Sequence, residues 1–330
     1  MNVLIIGLGS MGFRRARLVK QYDDSINIIG VDINAERRKK AECELKIMTK
    51  ESIQAACEDF ACDAAFISTS PLSHASIINE CLKRNLHVFT ELNLVADGYD
   101  DNIKLADDYN KVLFLSSTFL YRKEIEFIKR EVSSYDGCLS YVYHVGQYLP
   151  DWHPWENYKK FFVGDRRTSG CREIMAIEFP WLVDVFGKVK SIKTSNSKIS
   201  SLDIDYPDTY QMILEHNSGH RGIVVVDIVS RKAERKFEMF GENSFITWNG
   251  TPESLFKYNL TTKESDKINL YSDFTRKEGY EKFIIEDAYY NEIVDFFDSI
   301  YKASKPRYSF KKDKEVISLI DLVEGSNDNE

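Results

Sequence analysis

A strand that runs straight into a glycine-rich turn and out into a helix leaves a chain few folds to adopt, and this chain begins with one. Val3-Leu4-Ile5-Ile6 is a continuous aliphatic run, the pattern of a parallel strand buried on both faces. It leads into Gly7-Leu8-Gly9-Ser10-Met11-Gly12, a Gly-x-Gly-x-x-Gly, and then into Phe13–Lys20 with helical character. In such a turn the first glycine permits the tight reversal, the second lets a pyrophosphate approach the backbone, and the third lets helix pack on strand. The free N–H groups and positive end of the helix then hold phosphate. A second strand, Ile26–Val31, ends at Asp32, where an acidic side chain binds the ribose hydroxyls of NAD. Gly7, Gly9, Ser10, Met11, Gly12 and Asp32 are therefore the expected cofactor residues, with NADP as a second option. The competing reading is a βαβ unit without a ligand.

At 330 residues the chain exceeds one typical core, so two domains are expected. Its 43% hydrophobic and 29% charged content is that of an ordinary soluble protein. A net charge of −8 argues against a nucleic-acid or anionic-membrane partner. No apolar run approaches the ~18 residues of a membrane span, and the first strand begins where a signal peptide would lie. None of the six cysteines (43, 57, 62, 81, 138 and 171) forms a Cys-x-x-Cys pair. Reduced, largely buried thiols in a cytoplasmic protein and no metal site are expected; a Cys57–Cys62 pair lacks partners at ligand spacing.

Strand and helix alternate to about residue 118. Ala64–Ile67 leads into Ser68-Thr69-Ser70-Pro71, where Pro71 suits a first helical turn. His74–Arg84 follows as a helix, then the strand Leu86–Glu91, a helix over 97–110, and the strand Val112–Ser117. The pattern predicts a doubly wound parallel sheet over 1–120, with ligands at the carboxyl ends of its strands. Ser68, Thr69, Ser70 and Glu91 fall there. Beyond a helix at 123–132, aromatic and β-branched runs with turns at 217–219 and 241–243 predict a mostly antiparallel open sheet in an α+β domain over 121–330. Strands are expected at 139–145, 191–194, 210–216, 222–229, 236–240, 245–248, 255–258 and 267–270. Two amphipathic helices close the chain and can pack back on the N-terminal domain; 325–330 reads as a disordered tail.

With these motifs in place, the sequence resembles the Gfo/Idh/MocA family, the glucose–fructose oxidoreductase and inositol dehydrogenase group, over nearly its whole length. The resemblance rests on Gly7–Gly12, on Ser68-Thr69-Ser70-Pro71 with His74, on His87-Val88-Phe89-Thr90-Glu91 and on Tyr290–Phe297. Gly146-Gln147-Tyr148-Leu149-Pro150-Asp151-Trp152 looks like a segment of relatives acting on surface-polysaccharide sugars. The resemblance implies hydride transfer between a nicotinamide and a sugar or cyclitol carbinol. It also implies His74 and Glu91 at the cofactor, and a homodimer or homotetramer formed through the open sheet. The family usually continues Glu-Lys-Pro, its lysine aiding proton transfer, whereas this chain has Glu91-Leu92-Asn93. The family's later aspartate and histidine fall on Glu173 and Ile177, or on Met175 and Glu178, according to register.

Hydride transfer needs a base near the carbinol oxygen. The candidates are Glu173, Glu178, His153 and Tyr148, each with a structural reading as ion pair, cap or surface group. Arg172 is placed to set the charge of Glu173 or to hold an acidic substrate group. Tyr148, Trp152, His153, Trp155 and Tyr158, beside Gln147, read as a carbohydrate-contacting loop, because aromatic faces pack on sugar rings. Lys159, Lys160, Arg166 and Arg167 could hold a nucleotide-sugar diphosphate. The leading expectation is an NAD(P)-dependent oxidoreductase acting on a sugar or nucleotide sugar. The alternatives are an NAD-assisted non-redox sugar enzyme, with Glu173 and Glu178 as acid and base, or an inactive nucleotide-binding partner.

Overall fold

The computed structural model describes residues 1–154, 156–272, 274 and 284–325. Two compact units emerge: Met1–Thr118 with Tyr289–Glu315, and Phe119–Ala288 with the chain from Val316 onward.

The N-terminal unit alternates β1 (Asn2–Ile6), α1 (Ser10–Tyr22), β2 (Asn27–Val31), α2 (Ala35–Leu45), β3 (Met48–Lys50), α3 (Ile53–Asp59), β4 (Ala64–Ile67), α4 (Pro71–Lys83), β5 (His87–Thr90), α5 (Tyr99–Asp108) and β6 (Leu113–Leu115). These strands form a parallel sheet in the order β3-β2-β1-β4-β5-β6, so the order reverses between β1 and β4. A crevice opens at such a reversal, beyond the carboxyl ends of the strands. Val3, Leu4, Ile5 and Phe66 are fully buried, as a sheet covered on both faces requires. Phe66, Phe89 and Phe114 stack across β4, β5 and β6, and Phe296 meets all three edge-on. The helix starts follow local chemistry: Asn34 caps α2, Ser52 caps α3, and Pro71 opens α4. The three-residue β3 has no sequence pattern of its own and is a strand only because it pairs with β2.

The second unit contains α6 (Lys123–Ser134), β7 (Ser140–Gly146), α7 (Gly170–Phe186), β8 (Val189–Ser197), β9 (Thr209–His216), β10 (Arg221–Asp227), β11 (Glu234–Gly241), β12 (Ser244–Trp248), β13 (Phe256–Tyr258) and β14 (Ser265–Lys267). The strand order is β14-β13-β12-β11-β7-β10-β9-β8, antiparallel except for β7 beside β10. One face carries Tyr141, Tyr143 and Phe237 against Phe186 and Trp181 of α7. The other carries Val142, His144, Ile213, Ile223 and Val225 in one registered patch. Two further helices, α8 (Glu286–Tyr301) and α9 (Phe310–Gly325), each contribute residues to both units.

Four expectations change. Residues 170–186 form one helix with Pro180 inside it, where no helix was expected. The last strand is Ser265–Lys267 instead of 267–270. Gly325 ends α9, and 326–330 lie outside the described residues. All six cysteines are free, but only Cys81 and Cys171 are buried.

Candidate active site

The glycine turn is built as its sequence requires. Gly7 has φ +89°, and a Cβ there would fall 2.6 Å from the Ser68 carbonyl oxygen; one on Gly12 would lie 1.9 Å from the Gly7 carbonyl. A Cβ on Gly9 would meet nothing within 4 Å, so the chain there faces open space. Gly9 also starts α1 without a side-chain cap, leaving the helix entrance at Ser10 and Met11 to backbone N–H groups. Asp32 accepts the Leu8 N–H at one carboxylate oxygen (2.8 Å) and the Asn34 N–H at the other (2.8 Å). Beside it Ile33 is 91% exposed, an apolar side chain held out at the strand end. Across the crevice, the buried Ser68 hydroxyl has no partner. Thr69 shares a 2.8 Å hydroxyl hydrogen bond with Ser73, and the Ser70 carbonyl accepts from Ser73.

His74 and Glu91 turn inward. His74 Nδ1 lies 2.6 Å from Asn93 Oδ1, and its Nε2 lies 3.0 Å from the Thr69 carbonyl. Burial pushes the His74 pKa down, and a neutral ring donates from one nitrogen only. Donation to Thr69 leaves Nδ1 to accept, which the Asn93 amide serves once its NH2 group faces the ring. With both nitrogens engaged, His74 braces the Ser68–Pro71 loop and has no ring nitrogen left for a ligand. Asn93, in the place of the family's proline, completes that brace. Glu91 grips Arg15 of α1 through two hydrogen bonds, 2.6 and 3.0 Å. Arg15 also reaches Glu292 at 2.8 Å, and Glu292 accepts from Ser116, Ser117 and Thr118. Burial alone would cost the Arg15 charge, but Glu91 and Glu292 overcome it and raise its pKa. Glu91 is thus an anchor for α1, which corrects its reading as a cofactor ligand.

In the second unit the two candidate glutamates part company. Glu178 is fully buried and saturated: Arg235 donates Nε–H (2.9 Å) and Nη2–H (2.6 Å), and Tyr143 and Trp181 each donate at 2.7 Å. A carboxylate with four donors is a structural knot, so its catalytic reading is withdrawn. Glu173, in the first turn of α7, has a solvent-shielded Oε2 with no hydrogen-bond partner, and burial pushes its pKa up to about 8. Arg172, expected beside it at the substrate, pairs instead with Asp321 and Glu324 of α9. His153 stacks on Phe161 with ring centroids 4.8 Å apart and sits 3.9 Å from Glu156, as a surface histidine does. Trp152 donates its indole N–H to the Gln147 carbonyl (3.4 Å), and Arg231 lies over the Tyr148 ring. Lys159 pairs with Asp203, and Trp155 lies outside the described residues.

Residues 1–116 match the family model described as oxidoreductase family, NAD-binding Rossmann fold. On that stretch the chain matches the Gfo/Idh/MocA family. Myo-inositol 2-dehydrogenase of Thermotoga maritima is 23% identical, with 97% of this chain and 94% of that protein covered. Among solved structures, levoglucosan dehydrogenase in complex with NADH superposes with a TM-score of 0.82 at 15% identity, covering 99% of this chain and 96% of that one. UDP-N-acetylglucosamine 3-dehydrogenase from Acidithiobacillus ferrooxidans gives 0.72 at 15%, covering 98% and 96%.

The N-terminal unit is an NAD-binding Rossmann domain, and its residues fit the Gfo/Idh/MocA cofactor. The open floor at Gly9, the uncapped α1 entrance and the orphaned Ser68 hydroxyl are what a pyrophosphate and its flanking riboses would occupy. Arg15, Glu292, Asn93 and Arg231 were not anticipated. Arg15 lies in Arg14-Arg15-Ala16-Arg17, which reads as a solvated basic face, and nothing local in that run signals its distant partners.

Proposed function

We propose that the chain is an NAD-dependent oxidoreductase acting on a carbinol of a sugar or nucleotide sugar. Gly7–Gly12 and Ser68–Ser70 take the pyrophosphate side of the cofactor, Asp32 the adenosine ribose, and His74 and Glu91 position those loops. Bound nicotinamide supplies the hydride acceptor. Glu173 takes the proton from the carbinol oxygen as the C–H hydride leaves, and returns it in the reverse direction. One observation carries this reading: Glu173 Oε2 is a buried acceptor with nothing to accept from, on a carboxyl whose pKa is raised toward neutrality. Such a group suits general acid–base work at physiological pH. It stands in for the lysine missing at Leu92. Gln147, Tyr148 and Trp152 form the substrate loop, and its likeness to the segment in polysaccharide-sugar enzymes supports a role in surface-polysaccharide synthesis. The six free thiols favour a cytoplasmic setting.

The exposed sheet face, with Ile213 59% and Ile223 46% exposed, supports a homo-oligomer formed there. The non-redox alternative needed Glu178 as the second carboxylate, and Glu178 is fully engaged. The deciding experiment incubates the protein with NAD and a panel of sugars and nucleotide sugars, followed at 340 nm and by mass spectrometry. NADH formation that Glu173→Gln abolishes supports the reading. Product without NADH, or NAD binding without turnover on any panel member, refutes it.

A further inference from the structure

Asp227 closes β10 and commits its carboxylate to the turn that follows. One oxygen accepts the backbone N–H groups of Val229 (3.0 Å) and Ser230 (2.7 Å); the other accepts the Ser230 hydroxyl (3.0 Å) and lies 2.7 Å from His144 Nε2. Gly146 makes the room, since a Cβ there would fall 2.4 Å from Asp227 Oδ2 and 2.7 Å from Ser230 Oγ. A side chain that hydrogen-bonds the backbone two and three residues ahead pre-organises the turn. That turn delivers Arg231 onto Tyr148, with the guanidinium carbon 3.7 Å from the ring centroid. Tyr148 is itself fixed in place. Its neighbours donate backbone bonds to the same strand end, Gln147 to the Asp227 carbonyl (3.3 Å) and Leu149 to the Ile228 carbonyl (3.0 Å). The base sits close by in the fold, because Leu149 and Ile228 pack against Gly170, and Gly170 and Glu173 are three apart on one face of α7.

Arg231 differs from four of the buried arginines, Arg15, Arg122, Arg172 and Arg235, each of which grips a carboxylate. Arg231 is exposed, and among the described residues its stacking on Tyr148 is its one interaction. Its N–H groups have no hydrogen-bond or ion-pair partner among the described residues. A guanidinium held against an aromatic ring has already surrendered much of its rotamer freedom, so an oxyanion meets its N–H fork at little further entropic cost.

We propose that Arg231, stacked on Tyr148, is a specificity-determining residue, and that the substrate carries an oxyanion, a carboxylate or a phosphate, which the N–H groups of Arg231 hold. This inference rests on the substrate-loop reading above and narrows its sugar to an anionic one.

The test titrates the protein calorimetrically with glucuronate, uridine diphosphate and glucose, with NAD present at saturation so that the nucleotide turn is filled. Binding of glucuronate identifies a carboxylate, and binding of uridine diphosphate identifies a phosphate. In either case Arg231→Ala should weaken that probe roughly ten- to a hundredfold, as expected for loss of a charged hydrogen-bond pair. Arg231→Lys should recover only part of the loss, because it keeps charge without the fork, and glucose should be indifferent to both changes. Equal affinity in wild type and Arg231→Ala, or no binding of either anion by the wild type, overturns the proposal. Melting curves of each variant confirm folding, and Tyr148→Leu tests the stack independently. The two readings fail separately. Arg231-dependent anion binding with no NADH from any panel substrate sinks the redox reading alone. NADH from a neutral sugar, with a KM that Arg231→Ala leaves unchanged, sinks the oxyanion alone.

Discussion

Glu173 and Glu178 lie five positions apart on α7, and their surroundings give them opposite chemistry. Four donors surround Glu178, so removing its charge strands Arg235 in the core. Breaking a buried pair in this way costs about 3–5 kcal/mol. Glu178→Gln should therefore lower the melting temperature by many degrees, and a variant as stable as wild type would show that the knot is dispensable. Glu173 has the reverse problem: its Oε2 is shielded from solvent and has no hydrogen-bond partner. Its folded pKa of about 8 lies above the ordinary carboxylate value, so the unfolded chain loses this proton first as pH rises. The contribution of Glu173 to stability falls from the ordinary carboxylate range up to about pH 8 and is level beyond. Glu173→Gln should gain stability relative to wild type at pH 9 more than at pH 5, which denaturant melts at the two values would show. Wild-type kcat/KM for carbinol oxidation should rise with pH through a pKa near 8. At the nucleotide end, Asp32→Ala should weaken NAD by ~1.5–3 kcal/mol, the range for hydrogen bonds to a charged group; an unchanged titration would remove Asp32 from the site.

At the scale of elements, the strand ends carry the chemistry. The β10 turn depends on a histidine–carboxylate pair whose protonation can be followed. The hydrogen bond to Asp227 raises the His144 pKa. Burial works against the charge of Asp227, yet bonds from His144, Val229 and Ser230 bring its pKa down. A raised histidine stabilises fully below its unfolded pKa, about 6.5, and loses that contribution as pH climbs through the folded value. A lowered aspartate stabilises above about 3.9 and loses its contribution as pH falls through its folded value. The turn should therefore be firmest between about pH 4 and 6.5. Hydrogen-exchange protection of the Val229 and Ser230 amides, which donate to Asp227, should peak in that window, and His144→Ala should flatten its upper edge. Local pattern revealed most of these elements, because alternation and capping act over a few residues. The helix α7 escaped because it is apolar nearly all round and contains Pro180, so it shows neither a polar face nor an unbroken helical run.

For the molecule as a whole, the outer sheet face is the feature that burial within the chain leaves unexplained. Ile213, Ile223, Val142 and Val225 share one face across β7, β9 and β10. If that face joins copies of the chain, Ile223→Asp should shift the mass measured by light scattering to that of a monomer while the melting curve stays cooperative. An unchanged mass would place any assembly elsewhere. What the sequence determined by itself was whatever depends on neighbours in the chain: the glycine turn, Asp32 at the end of β2, the alternation of strand and helix, and the loss of the lysine at Leu92. What only the tertiary structure decided was which charges are spent. Glu91, Glu178 and Arg172 are engaged by residues far along the chain, whereas Glu173 and Arg231 keep an acceptor and a donor edge without a hydrogen-bond or ion-pair partner among the described residues. Hydrogen bonds and desolvation are settled by whatever lies within a few ångströms in space, and no spacing along the sequence encodes that distance.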